Sequence, residues 1–400
     1  MTRFLSALLV ATAALPGGAA AQMSPFAPDT LLRPSGGPRI VMLGTPGEGV
    51  AALRLAVPLR EGPAEAGAGE ILRDLAVHRM ETLARPVGVR VSVSRTPWGV
   101  AYAVEGAAAD FEYLAYLLRE AVAEPNVTGP RFAEARLRLR AAAQQAMETP
   151  EGLLLRRLRA GAALGLPPLG GTPATADGLD ARMVRSVWRR SHQSSTMTLV
   201  VSAPVVPEVV LAATRGLGAP EADARVPIDA PMLHRDGPDA ETLRVYFGEA
   251  FWSAPVDDPH GPVAALLVAR HLQGKGDGFE LGAHLWELPD RWVLAVTGIA
   301  YPRRSSAMHA AVSAALSGTM ATMDSEKVAR AVAQLRREIM LRGQTAGGLV
   351  DVVGRAMEFG GDPMAMVHQL EALSAVDLTS ARSYLSHLLE VGPVRAEVRP

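Results

Sequence analysis

The same order of secondary-structure signals occurs twice along this 400-residue chain, and that duplication constrains the fold more than any single motif does. In the first half, an alternating strand at 50–57 precedes a helix at 69–83, a hairpin over 87–104 turned at Thr96-Pro97-Trp98-Gly99, and a helix at 110–123. Helices at 131–147, 152–164 and 181–190 follow, and a strand at 197–202 closes the unit. The second half repeats the plan with a strand at 243–247, a helix at 261–272 and strands near 285 and at 292–298. Its helices fall at 306–323, 325–341, 348–359 and 378–389, before a last strand at 394–398. Two copies of one α+β unit are the simplest account. Residues 216–241 are dense in Pro, Asp, Ala and Gly and carry no apolar period, so a linker is expected there between domains at 22–215 and 242–400.

Residues 1–21 combine an early Arg3, an apolar run over 4–15 and the small-residue end Ala19-Ala20-Ala21 before Gln22. This pattern predicts a secretory signal cleaved after Ala21, and hence a periplasmic or secreted protein. No later segment is long and apolar enough to cross a membrane. The chain has no cysteine, which excludes disulfides, thiolate metal sites and a thiol nucleophile. A formal charge of −1 gives no general attraction for nucleic acid.

The chemistry most worth testing lies in residues 67–80, GAGEILRDLAVHRM. Ile71, Leu72, Leu75 and Val77 give this helix an apolar side, while Glu70, Asp74 and His78 recur at i, i+4 and i+8 on another face. A solvated face with a Glu70–Arg73 ion pair is the expected reading, and a divalent cation held by the two oxygens and one nitrogen is the alternative kept beside it. Arginines 131, 136, 138, 140, 156, 157 and 159 crowd the next two helices, as an outer charged face or as a landing site for an anionic partner. Gly274-Lys275-Gly276-Asp277-Gly278 lacks the spacing of a phosphate loop and is expected to be a turn. The other histidines form no ligand pair at one-turn spacing, no G-x-S-x-G elbow occurs, and Phe247, Phe251 and Trp252 suit core or interface packing.

A strand, an acidic loop, Gly-Ala and a helix in this order resemble the opening of the insulinase-like, pitrilysin-type metallopeptidases. Their helix carries an inverted zinc motif, H-x-x-E-H, whose two His residues hold zinc and whose Glu activates its water. The resemblance implies two similar domains, each an antiparallel sheet covered by helices on one face, facing one another as a clam shell. Laid on the motif, Glu70, Arg73 and Asp74 occupy the three positions, and none keeps the catalytic residue type. The third ligand, a Glu in active relatives, falls near Ala142, with Glu134 about two turns earlier. A second motif, L-x-x-x-L-R-E-x-x-G-L-A-Y, supplies an Arg and a Tyr that orient substrate. Over 281–293, Leu281, Leu285 and Glu287 fit it, but Trp286 and Val293 stand where the Arg and Tyr belong.

The resemblance thus implies a family whose active members use zinc, and a chain that has lost the residues to hold it. The expected role is a non-catalytic partner or scaffold subunit of an active insulinase-like peptidase, helping to hold peptide substrate. An active metallopeptidase with a rearranged site at Glu70, Asp74 and His78 is one alternative. A stand-alone peptide-binding or envelope-assembly protein is another.

Overall fold

The computed structural model describes residues 24–399 apart from 48, 97, 163–169, 220–243, 254, 256–257, 274–278 and 289–290. The expected signal, nearly all of the expected linker and the glycine turn at 274–278 therefore lie outside the described residues.

Two short strands, β1 (Pro28–Leu32) and β2 (Arg39–Leu43), open the chain ahead of β3 (Val50–Pro58). Helix α1 (Ala68–Ala84), the hairpin β4 (Arg90–Thr96) and β5 (Gly99–Ala107), and α2 (Phe111–Val122) follow. Then come α3 (Pro130–Glu148), α4 (Pro150–Ala162), α5 (Pro173–Gly178), α6 (Ala181–Ser191), β6 (Thr198–Ser202) and α7 (Pro207–Ala213). The second half runs β7 (Val245–Ser253), α8 (His260–Leu272), β8 (Glu280–Leu288), β9 (Arg291–Ala300), α9 (Met308–Thr322) and α10 (Ser325–Arg342). It ends with α11 (Ala346–Gly360), α12 (Ala365–Ser374), α13 (Leu378–Val391) and β10 (Val394–Val398).

These strands make two sheets, ordered β1-β2-β6-β3-β5-β4 and β10-β7-β9-β8. The second is antiparallel throughout. The first departs from the expected antiparallel sheet at one seam, where β2 runs parallel to β6 in the register Arg39↔Thr198. A parallel neighbour needs a long crossover, and here the chain between the two strands includes all the helices from α1 to α6.

Alternation along the strands sorts residues onto opposite faces. On one face of the first sheet, Ile40, Met42, Leu53, Leu55, Tyr102, Leu199 and Val201 pack with α1, α2, α3 and α6. On the other, Val41, Leu43, Ala52 and Val200 pack with Leu349, Val350 and Val353 of α11, a helix of the second half. The exchange is reciprocal. Phe247, Phe251, Leu294 and Val296 of the second sheet pack with α8, α9 and α13, while Ala250, Val293, Ala396 and Val398 on its reverse face pack with Leu153, Leu154 and Leu158 of α4, from the first half. Each half thus covers one face of its own sheet, as expected, and lends one helix to the reverse face of the other. Leu158 is fully buried in this exchange, a contribution of about 1.5–3 kcal/mol from one side chain.

Candidate functional site

Helix α1 begins against a buried ion pair. Arg95 on β4 reaches Glu61 Oε2 at 3.0 Å, with both side chains at most 4% exposed. The Gly69 amide donates to Glu61 Oε1 at 2.5 Å. A carboxylate at this end satisfies an orphan N–H and complements the helix dipole. Burial raises the Glu61 pKa, with Arg95 and the Gly69 amide opposing the shift. Gly67, just before the helix, adopts φ +98°, and a side chain there would meet Leu139 Cδ2 at 2.8 Å, so α3 packs directly on the start of α1.

The three motif positions lie along the next two turns. Arg73 Nη1 donates to Glu70 Oε2 at 2.8 Å. Arg138, reaching across from α3, donates to Asp74 Oδ2 at 2.5 Å and lies 3.8 Å from Glu134. His78 is exposed, and its backbone carbonyl accepts from the Thr82 hydroxyl. Arg140 pairs with Asp177 on α5, and Ala142 is exposed. The structure therefore forms two separate ion-pair groups here: Glu70 with Arg73 within α1, and Asp74 with Arg138 and Glu134 across the α1–α3 seam.

Trp286 and Val293 are direct cross-strand partners on β8 and β9. Val293 is fully buried, and both belong to the apolar layer under α4. The Arg159 guanidinium of α4 lies over the Trp286 ring, 5.1 Å from its centroid.

A polar network between the halves went unrecognised in the sequence. Arg54, in the middle of β3, is 1% exposed. Its Nε lies 3.4 Å from Asp351 Oδ1 and its Nη2 donates to Glu358 Oε1, both carboxylates being on α11. Trp98 Nε1 donates to the other Glu358 oxygen at 3.3 Å. Glu287 on β8 lies within the field of the same helix. Burial pushes its pKa up to about 7; Arg355 lowers it and Glu358 raises it further.

No protein-family model matches the chain, and no curated protein matches it by sequence. Solved structures do match. A protease from Helicobacter pylori superposes with a TM-score of 0.78 at 10% identity, over 93% of this chain and 100% of that one. The periplasmic protease PqqL from Escherichia coli gives 0.71 at 13% identity over 99% of this chain and 49% of PqqL, so the chain spans about half of PqqL. A chain of Complex III2 from Candida albicans, Inz-5 bound, gives 0.66 at 11% identity, covering 92% of this chain and 95% of that one. The fold is insulinase-like.

The motif resemblance drawn from the sequence implies zinc on α1, and the donors present do not fit it. Catalytic zinc takes three protein ligands. Among the described residues no group of three or more His, Cys, Asp or Glu side chains could hold a metal ion. Glu70 and Asp74 are already engaged by guanidinium groups, which cannot ligate and which repel a dication. Replacing Glu70→His, Arg73→Glu and Asp74→His removes one of these cations but leaves Arg138 opposite and no acid at 142. Equilibrium dialysis should find well under one zinc per chain in both wild type and this triple variant, with no peptide turnover. Stoichiometric zinc and robust cleavage by the variant would show that the third ligand comes from elsewhere.

Proposed function

We propose that this chain is an exported, non-catalytic insulinase-like homologue that serves as partner or scaffold subunit of an active zinc peptidase and helps to hold its peptide substrate. The observation that carries this reading is that the carboxylates at the motif positions are held by guanidinium groups, Glu70 by Arg73 and Asp74 by Arg138. Trp286 and Val293 support it, because both serve the packing beneath α4. PqqL supports it too. The chain spans about half of that protease, and a second, catalytically intact chain of similar size would supply the rest. The first residues of the sequence have the signal pattern that export requires.

What remains for such a chain is surface and shape: closing a chamber, holding substrate, stabilising the catalytic subunit. Stable association needs well above roughly 1,000 Å² of total buried surface. Co-expression with a neighbouring peptidase that keeps an intact H-x-x-E-H helix should give a heterodimer by size-exclusion chromatography with light scattering. Its peptidase activity should exceed that of the catalytic chain alone. Separate elution, with the peptidase equally active by itself, would overturn the reading in favour of a stand-alone binding protein.

A further inference from the structure

The arginines of α3 and α4 are not all accounted for by the fold. Arg131 pairs with Glu134, Arg138 with Asp74 and Arg140 with Asp177. Arg157 donates to the Glu397 carbonyl. Arg136, Arg156 and Arg159 differ: no carboxylate among the described residues forms an ion pair with any of the three, and of these Arg156 and Arg159 share α4. They stand three residues apart on α4, hence on one side of the helix and about 4.5 Å apart along its axis.

The surroundings of Arg159 are aromatic. Arg159 lies over Trp286, and Trp252 and Tyr246 belong to the same layer, partly buried on the reverse face of the second sheet. A guanidinium stacked on an indole is fixed in its plane, with its edge N–H groups free to donate. Arg156 is half-buried and Arg159 exposed. Burial lowers the pKa of both, and no neighbouring carboxylate raises either. Partly desolvated cations without a counter-charge gain most from an incoming anion.

We infer that Arg156, Arg159 and Trp286 form a binding subsite for the carboxylate of a peptide, with the aromatic layer taking an apolar side chain beside it. The carboxylate bridges the two guanidinium groups, and its neighbouring residue packs along the indole. Choosing a peptide rests on the protease-like reading of the fold; the anion specificity rests on the arginine pair alone. Because the subsite lies on this chain, its test needs no peptidase partner. Failure here leaves the heterodimer experiment untouched, and failure there leaves this one standing.

The probe is a fluorescein-labelled decapeptide ending in Leu-Phe with a free carboxylate, titrated with the mature full-length protein and read by anisotropy. Its C-terminally amidated twin should bind about 10-fold or more weakly, in line with a charge-assisted pair. Arg156→Gln and Arg159→Gln should each weaken the acid peptide to the level of the amide while leaving the amide unchanged. Arg159→Lys, which keeps charge and fold but loses the planar stack, should give an intermediate value. Circular dichroism melting confirms that each variant is folded. Equal affinity for acid and amide peptides, or indifference of the acid peptide to both Gln variants, overturns the inference. So does an absence of peptide binding alongside Arg156-dependent and Arg159-dependent capture of phosphatidylglycerol vesicles, which would assign the pair to lipid headgroups.

Discussion

Arg54→Met is expected to destabilise the protein by about 3–5 kcal/mol, the usual cost of leaving buried charge without its partner. Arg54 is 1% exposed, and the Glu358 carboxylate that it meets is 10% exposed on its side chain. Removing the guanidinium leaves Glu358 in the seam between β3 and α11 with the Trp98 indole N–H as its one remaining hydrogen bond among the described residues. The helix cannot move away easily. Gly354 brings its backbone so close that a methyl group there would meet Arg54 Nη1 at 2.7 Å. Arg54→Met/Glu358→Leu should recover most of the loss, since an apolar pair of similar volume replaces a buried ion pair at little or no net cost. Urea unfolding monitored by circular dichroism measures both variants. A single variant within about 1 kcal/mol of wild type would mean that water reaches the seam and that Arg54 is screened.

The same residue marks where the sequence stopped being legible. Alternation over 50–57 assigns Leu53, Leu55 and Val57 to one face, and they do lie in the core with α1 and α2. By that logic Arg54 faces solvent. It is buried instead because α11, about 300 residues later, covers the reverse face. No local period records that event. The clue lay in composition: α4 and α11 each carry enough apolar residues to cover a sheet, and each half's own sheet face already had its helices. Strands β1 and β2 were missed for a simpler reason, being five residues each, too short to show a period. The motif helix was placed correctly, and its Glu70–Arg73 pair follows from i,i+3 spacing. The Arg138–Asp74 pair could not, because it depends on the packing of α3 against α1. The Trp286–Val293 pairing required the hairpin register, which the Leu288-Pro289-Asp290-Arg291 sequence between them did not specify.

Stability should fall in acid through His192, and the sign follows from which state takes the proton first. His192 is 1% exposed at the end of α6. Its Nε2 lies 3.0 Å from the Tyr102 hydroxyl and its Nδ1 2.8 Å from the Ser191 hydroxyl, a set that suits a neutral imidazole. Burial lowers its pKa from 6.5 to about 3, with the Trp188 backbone hydrogen bond opposing. The unfolded chain therefore binds the proton below 6.5 while the folded chain resists it. This group's contribution is complete above pH 6.5 and is lost progressively down to about pH 3, by at most about 5 kcal/mol. Glu287 works in the opposite direction. Its pKa is raised from 4.5 to about 7, so its contribution is complete below pH 4.5 and is lost as pH climbs to 7. The two ramps overlap and offset each other between pH 4.5 and 6.5, leaving a stability plateau there with an acid limb controlled by His192. Urea unfolding of wild type and His192→Gln at pH 4, 5.5, 7 and 8.5 isolates the histidine. The stability difference between the two proteins should hold steady above pH 7 and shift in favour of the variant by several kcal/mol as the pH drops to 4. A difference independent of pH would mean that the folded protein protonates His192 as readily as the unfolded chain does, and that water enters the Tyr102–Ser191 pocket.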